Sequence, residues 1–207
     1  MCPLEIMNNF ILIRKIIFAV CCFVLSISSI TEETKLKADD LFRIDHLMEI
    51  NVKMLSSDWE KLRRESDRNN RSMSRIFGGG ASSGKRFNLY KADISVDGEI
   101  IKNIGIRTKG FIGSLNPDRP SLKIKFNEYE DQSPIVGLDR LTLNNNVQDV
   151  SLASQYLTYK LFNKAGIPAP RVSHCKVTVN GEYLGVYTHV ESVRSPFIKK
   201  HYQKYPG

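Results

Sequence analysis

The sequence predicts an α+β fold, with a mostly antiparallel sheet and packed helices. Short segments in which apolar and polar residues alternate are separated by turn residues, as in half-buried strands. Two other segments combine helix-start signals with a helical spacing of apolar residues. The chain has 207 residues, which suffices for one hydrophobic core and not comfortably for two. We therefore expect a single domain over 41–207.

The first thirty residues resemble an export signal. Arg14 and Lys15 precede the uncharged run 16–30. An apolar run of about fifteen residues suits a signal peptide better than a membrane span, which needs about twenty. We predict a signal peptide at 1–30, a linker at 31–40 and a secreted or cell-surface location. The alternative is an uncleaved N-terminal anchor, and only then would the membrane be a partner.

A strand and then a helix open the predicted domain. Alternating apolar residues at 50–54 indicate a strand. The segment 57–60 has the Ser-x-x-Glu spacing of a capping box, which predicts a helix over 58–67 with Trp59 and Leu62 turned inward.

The segment 68–88 is predicted to be a flexible basic loop rich in Gly and Ser. Within it, residues 79–85 have the spacing of a P-loop. Arg86 stands where a P-loop needs Ser or Thr, and neither a strand nor a helix flanks the segment in the required way. A solvated loop is therefore the favoured interpretation.

Four more strands are predicted from alternation. The first two form a hairpin around an Asp-Gly turn at 97–98. The strands lie at 92–96, 104–106, 121–126 and 140–143.

A second helix is predicted over 152–164. Asp149 or Ser151 can cap its start, and a glycine followed by a proline ends it. Leu157 and Leu161 then fall on one apolar stripe, which we expect to face the core.

The segment 171–191 predicts a hairpin with an Asn-Gly turn at 180–181. If this turn sets the register, Cys175 lies opposite Val186 and becomes a buried structural thiol. The predicted apolar face consists of Cys175, Val177, Val179, Leu184, Val186 and Val190, and the opposite face of His174, Lys176, Tyr187, His189 and Glu191.

Several short motifs follow one another along this domain. They are Glu49-Ile50-Asn51-Val52 before Asp58-Trp59-Glu60, then Gly105-Ile106-Arg107-Thr108-Lys109-Gly110, Ser121-Leu122-Lys123-Ile124-Lys125-Phe126, Leu141-Thr142-Leu143-Asn144-Asn145-Asn146, Gly166-Ile167-Pro168-Ala169-Pro170-Arg171 and Val179-Asn180-Gly181-Glu182-Tyr183-Leu184-Gly185-Val186-Tyr187. Their joint order resembles the front part of the CotH (spore coat protein H) kinase-like family.

The resemblance implies an atypical protein-kinase-like N-lobe and an exported ATP-dependent protein phosphotransferase. ATP and Mg are the implied cofactors, and a nucleotide and a secreted or surface protein acceptor are the implied partners. The family's catalytic and metal-binding aspartates lie in the C-lobe. The chain is therefore expected to be a fragment truncated before that lobe, with no catalytic residue or metal ligand of its own and no activity by itself. The alternatives are a non-catalytic, invasin-like adhesion role and spore-coat assembly.

Phosphoryl transfer needs cations around the triphosphate. By the resemblance, Lys123 is the candidate phosphate-binding lysine, with Lys125 second and Arg107 in support. Glu191 falls where the hinge would face adenine. Asn144, Asn145, Asn146 and Asp149 could contact nucleotide or metal, although a strand-to-helix turn rich in Asn and Asp is also ordinary capping chemistry. The plain alternative for the lysines is a solvated strand face.

The helix 152–164 would correspond to kinase αC, whose glutamate usually pairs with the phosphate-binding lysine. It contains no Asp or Glu, and its inward candidates include Gln155 and Tyr156. The usual lysine–glutamate pair is therefore not expected here.

Two other functions were considered. His174, His189 and Glu191 suggest a zinc site, but diagonal neighbours on a hairpin lie too far apart for easy coordination. The net charge of +8 favours anionic partners in general. The basic residues are scattered and form no known RNA-binding motif, so nucleic acid is not a predicted partner.

Overall fold

Seven strands form a closed barrel in the computed structural model, which describes residues 36–43, 45–65, 87–110 and 114–202. The strands are β1 (Leu47–Met54), β2 (Tyr90–Val96), β3 (Glu99–Lys109), β4 (Ser121–Lys125), β5 (Arg140–Asn144), β6 (Val172–Val179) and β7 (Glu182–Val190). The helices within these ranges are α1 (Ala38–Leu41), α2 (56–65), α3 (Ser154–Lys164) and α4 (Ser195–His201).

The strands follow the order β1-β2-β3-β4-β5-β7-β6 around the barrel. Every neighbouring pair is antiparallel except β1 and β6, whose parallel pairing closes the barrel. In that pairing Ile50 lies beside Val177, and both are buried. Apolar side chains from all seven strands therefore meet inside the barrel and form one core.

The predicted fold class is wrong. The described chain is richer in strand than an α+β kinase-like N-lobe with packed helices, and its helices are few and short. The reason lies in the core, because strands that close on themselves bury their apolar faces against one another without a layer of helices. Helix α3 buries none of its side chains, and Leu157 and Leu161 of the predicted inward stripe are 59% and 64% exposed.

The individual strands were placed more accurately than the fold. All five strands predicted before residue 150 overlap observed strands. Helix α2 begins at residue 56, so Ser57 lies inside its first turn and not at its cap. Trp59 and Leu62 are buried in the core as predicted.

Several predictions concern residues outside the described ranges. They are the signal peptide at 1–30, most of the linker at 31–40, most of the loop at 68–88 and the P-loop spacing at 79–85. Among the described helices, none has the length and apolar character that crossing a membrane requires.

A bulge changes the faces of the β6–β7 hairpin. The predicted register holds next to the turn, but it shifts by one residue at Gly185, whose φ is +111°. Cys175 therefore pairs with Tyr187 and not with Val186, and the predicted faces of β7 are wrong beyond the bulge. Tyr187 and His189, which were assigned to the polar face, are fully buried. One extra residue in a strand reverses the side on which all later side chains lie.

The prediction of a buried structural thiol at Cys175 is confirmed. The residue has no exposed surface, and its thiol lies 3.7 Å from the carbonyl oxygen of Tyr187. Burial raises the pKa of the Cys175 thiol, and this opposes formation of a reactive thiolate.

Candidate functional site

A cluster of cations lies on the outer face of strands β3, β4 and β5. Ile106 and Thr108 are fully buried, so alternation along β3 places Arg107 and Lys109 on the opposite face. The antiparallel register sets Lys123 of β4 directly opposite Arg107. We call Arg107, Lys109 and Lys123 the cation cluster.

Within the cation cluster, Lys109 has the most strongly shifted pKa. Burial, followed by repulsion from Lys123 and Arg107, lowers the pKa of its ammonium to about 8. Its Nζ donates a hydrogen bond to Oδ1 of Asn144 on β5. The amide oxygen solvates the ammonium but brings no negative charge, so no charge within the described part of the chain compensates that of Lys109.

An amide chain links Lys109 to helix α3. Asn144 accepts from Lys109 through Oδ1, and its Nδ2 donates to Oε1 of Gln155 at 2.7 Å. The start of the helix is fixed in turn by Asp149, whose Oδ2 accepts from the amide of Ser154 at 2.9 Å. Gln155 of α3 is thus connected to Lys109 through the side chain of Asn144.

Among the described residues, the other two members of the cluster also form no ion pair with a carboxylate. Burial, then the positive charges of Arg107 and Arg140, lowers the pKa of Lys123. The guanidinium of Arg107 lies 5.9 Å from the centre of the Phe87 ring and donates to a backbone carbonyl at 3.1 Å. In the described part of the chain, no carboxylate forms an ion pair with Arg107, Lys109 or Lys123. The three positive charges therefore repel one another, and an anion would relieve that repulsion.

Lys125 and Asn146 belong to different environments. Lys125 is on the same outer face, but its Nζ contacts Glu128 at 2.8 Å. Asn146 follows β5 in a left-handed conformation, and its Oδ1 accepts from Thr188 at 2.9 Å. Its Nδ2 is buried and has no hydrogen-bond partner within the described residues. Asn146 is therefore the one predicted site residue with an unused buried donor.

Glu191 is held in a buried ion pair at the end of the β6–β7 hairpin. Its Oε1 accepts from Nη2 of Arg171 at 2.7 Å, and its Oε2 accepts from Nε and from the backbone amide of Arg171, each at 3.0 Å. Burial acts to raise the pKa of Glu191, but the bonds from Arg171 outweigh it and lower the pKa. Both carboxylate oxygens are therefore engaged in holding the hairpin together.

The bulge in β7 also bears on the zinc hypothesis. His174 lies on the outer face, where Nε2 contacts the carbonyl oxygen of Leu152 at 2.7 Å, whereas His189 is buried and contacts Ser173. The two rings therefore lie on opposite faces of the hairpin. The described residues contain no group of three metal-ligating side chains.

The sequence prediction found part of this cluster. Lys123 and Arg107 were assigned to phosphate, and the structure places them side by side. Lys109 was quoted only as part of a motif, and Asn144 only as one of four residues that could either contact nucleotide or metal or cap the turn. A signal was present, because Lys109 lies two residues after Arg107 and so shares its face of the strand.

Two comparisons with known proteins agree with the motifs. Residues 106–206 match the family model described as CotH kinase protein. An inner spore coat protein H-like protein of Bacillus subtilis (strain 168) is 32% identical over 75 residues, which are 36% of this chain and 24% of that protein. The match thus spans about a quarter of the relative's length. The stretch that is similar to the CotH family includes the cation cluster, Asn144, Gln155 and Glu191.

Proposed function

We propose that this chain is the nucleotide-binding part of an exported CotH-type phosphotransferase, in which the cation cluster binds the phosphates of ATP. The observation that carries the proposal is Lys109, a largely buried ammonium whose hydrogen bond goes to a neutral amide and whose charged neighbours, within the described residues, are the cations Lys123 and Arg107. The family match supports the chemistry. The fold does not, because the barrel differs from the kinase-like lobe that was expected.

The energetics favour an anionic ligand at this position. With a pKa of about 8, Lys109 is still mostly protonated at pH 7, although burial and two neighbouring cations oppose its charge. A phosphate group would reverse both effects, because it replaces lost hydration with charge-assisted hydrogen bonds and offsets the repulsion. Three cations on adjacent strands can contact more than one phosphate of a nucleotide.

The residues present fit the phosphates of ATP better than they fit magnesium. When bound, ATP would supply the phosphoryl group that is transferred to a protein hydroxyl. Arg107, Lys109 and Lys123 would hold and orient the phosphates, and Asn144 and Gln155 would fix the position of Lys109. We assign no magnesium ligand to this chain, since the described residues contain no cluster of three suitable side chains.

Calorimetric titration of the full chain with ATP tests the binding step. Lys109→Met keeps most of the apolar volume and removes the charge, so we expect ATP affinity to fall by at least about tenfold, as for loss of a charged hydrogen-bonding group. Lys53→Met is the matched control, because Lys53 is an exposed lysine of β1 outside the cluster. Equal ATP affinity in the chain and Lys109→Met, or equal losses in both variants, would refute the assignment.

Phosphotransfer is tested separately, on the longest protein that the reading frame encodes. Incubation with ATP labelled at the γ-phosphate and a candidate surface or coat protein should label the acceptor, and Lys109→Met should slow the labelling.

A short DNA duplex, added as a competitor for ATP binding, tests whether nucleic acid is a partner. Because we propose no nucleic-acid partner, the duplex should not displace ATP at 150 mM salt.

A non-catalytic role in coat assembly or adhesion is the second candidate. One observation favours it: the matched relative is named for the inner spore coat. This role also fits the proposed secreted, surface or coat location. It predicts stable binding to a coat or surface protein that is unchanged by ATP and by Lys109→Met. Measuring partner binding with and without ATP separates the two functions.

A further inference from the structure

A second candidate site lies beside the start of helix α3. A cavity of about 450 Å³, open on one side, is bordered by the segment before β1, the start of α3 and the outer face of β6 and β7. This volume lies within the range of ligand-binding pockets. Most of its lining is apolar and consists of Leu47, Leu152, Ala153, Tyr156, Val172 and Val186.

The ionisable side chains that line the cavity already have partners within the fold. Arg43 pairs with Asp45 at 2.7 Å, and His46 contacts Asp97 at 2.8 Å. His174 contacts a backbone carbonyl at 2.7 Å. The interior of the cavity therefore offers mainly apolar contacts to a ligand.

One cation near the cavity has no counter-ion among the residues that the structure describes. Lys160 of α3 is exposed, and its Nζ lies 3.1 Å from the hydroxyl of Tyr156 and 5.3 Å from the centre of that ring. Within the described residues no carboxylate pairs with Lys160, and α3 itself contains no acidic residue. An apolar cavity thus lies next to an uncompensated positive charge.

We propose that this cavity binds an acidic peptide segment of a partner protein through one aromatic or large aliphatic anchor side chain. The anchor would replace water against Tyr156, Leu152 and Val186, and burial of such side chains dominates many interfaces. Carboxylates flanking the anchor would meet Lys160 at the rim. The open side leaves room for the peptide backbone, which an enclosed cavity would exclude.

Peptide binding would also act on the cation cluster, and this part rests on the proposed function. Tyr156 borders the cavity, and the preceding residue, Gln155, bonds to the Asn144 that holds Lys109. A peptide that contacts the start of α3 would therefore change ATP affinity. By linkage, ATP would change peptide affinity by the same factor.

The test uses fluorescence anisotropy with the full chain, without nucleotide, and a labelled peptide of one phenylalanine flanked by two aspartates on each side. We expect saturable binding that weakens by at least about tenfold when serine replaces the phenylalanine, since anchors carry most of the energy. Val186→Arg, which fills the cavity, should have a similar effect. Lys160→Glu, on the exposed surface, should weaken binding several-fold without affecting folding.

Leu161→Arg is the matched control, because Leu161 is an exposed residue of α3 that does not line the cavity. It should bind the peptide as the unmodified chain does. Binding that survives the serine replacement, or that is unchanged in both Val186→Arg and Lys160→Glu, would overturn the proposal. Equally tight binding of N-acetylphenylalanine alone would also overturn it, in favour of a small-molecule site. Since no nucleotide is present, failure of ATP binding would not affect these results.

Discussion

Arg171 and Lys109 are both largely shielded from water, but only Arg171 is paired with carboxylates. Arg171 is bound by two carboxylates, Glu191 through several hydrogen bonds and Asp39 through one, and its guanidinium lies 4.4 Å from the centre of the Phe42 ring. Lys109 is bound by the neutral amide of Asn144 and is surrounded by like charge. Within the described ranges, the first charge is compensated by carboxylates, and the second is not.

The difference separates a structural ion pair from a binding site. A buried charge that is fully paired contributes to holding the fold, and removing its partner is costly. A buried charge without a partner lowers the stability of the fold. Only a bound ligand can then compensate that charge. The two regions therefore predict opposite responses to mutation and pH.

The largest expected effect is at the compensated charge. Glu191→Gln leaves the guanidinium of Arg171 without its main counter-ion, and we expect the free energy of unfolding to fall by about 3 kcal/mol. Glu128→Gln removes the partner of the part-exposed Lys125 and should cost less than about 1 kcal/mol. Urea denaturation measures both. Equal losses would show that the Arg171 pair is no more structural than a surface pair.

A smaller effect is expected from the buried histidine next to this pair. Burial, followed by the charge of Arg171, lowers the pKa of His189 from 6.5 to about 3. Below pH 6.5 the unfolded chain takes up a proton that the folded chain refuses, so stability falls as the pH drops toward 3. At pH 5 this amounts to about 2 kcal/mol.

His189→Phe removes this titration and retains a ring that can stack on Phe42, which lies 4.4 Å from the histidine ring. Stability measured by urea denaturation at pH 7 and pH 5 should therefore fall less in the variant than in the unmodified chain. An identical fall in both proteins would show that His189 is readily protonated in the folded state.

The fold could be predicted from the sequence only where its causes are local. Strands such as 121–126 were found because alternation along a few residues decides which face is buried. Closure of the barrel depends on β1 pairing with β6, which is more than a hundred residues away in the chain. No local pattern encodes that pairing. Without it, helices packed on the sheet were the expected way to bury the apolar faces of the strands.

The bulge at Gly185 could have been predicted from the sequence, because its signal is a glycine within a strand. A glycine inside a strand often marks a bulge, and this one adopts a φ of +111° that other residues rarely reach. Its Cβ would lie 3.1 Å from the guanidinium of Arg119. For the site, Arg107 and Lys123 were predictable from alternation, whereas the burial of Lys109 depends on contacts with β5 and its surroundings that only the fold creates.

The smallest effect is expected at the uncompensated charge, and its sign is opposite to that of a paired lysine. The folded pKa of Lys109 is about 8, against an ordinary value of 10.5. Between these values the unfolded chain holds a proton that the folded chain has released, so Lys109 makes stability rise with pH across this window. These two pKa values give a gain of about 1 kcal/mol between pH 8 and pH 9. Comparing urea denaturation of the unmodified chain with Lys109→Met isolates this contribution, which should be absent from the variant and present in Lys53→Met.

Pyrophosphate should also flatten the rise of stability with pH in the unmodified chain, because a bound anion keeps the ammonium of Lys109 charged. If the rise persisted unchanged in Lys109→Met, the charge of Lys109 would already be compensated in the folded chain.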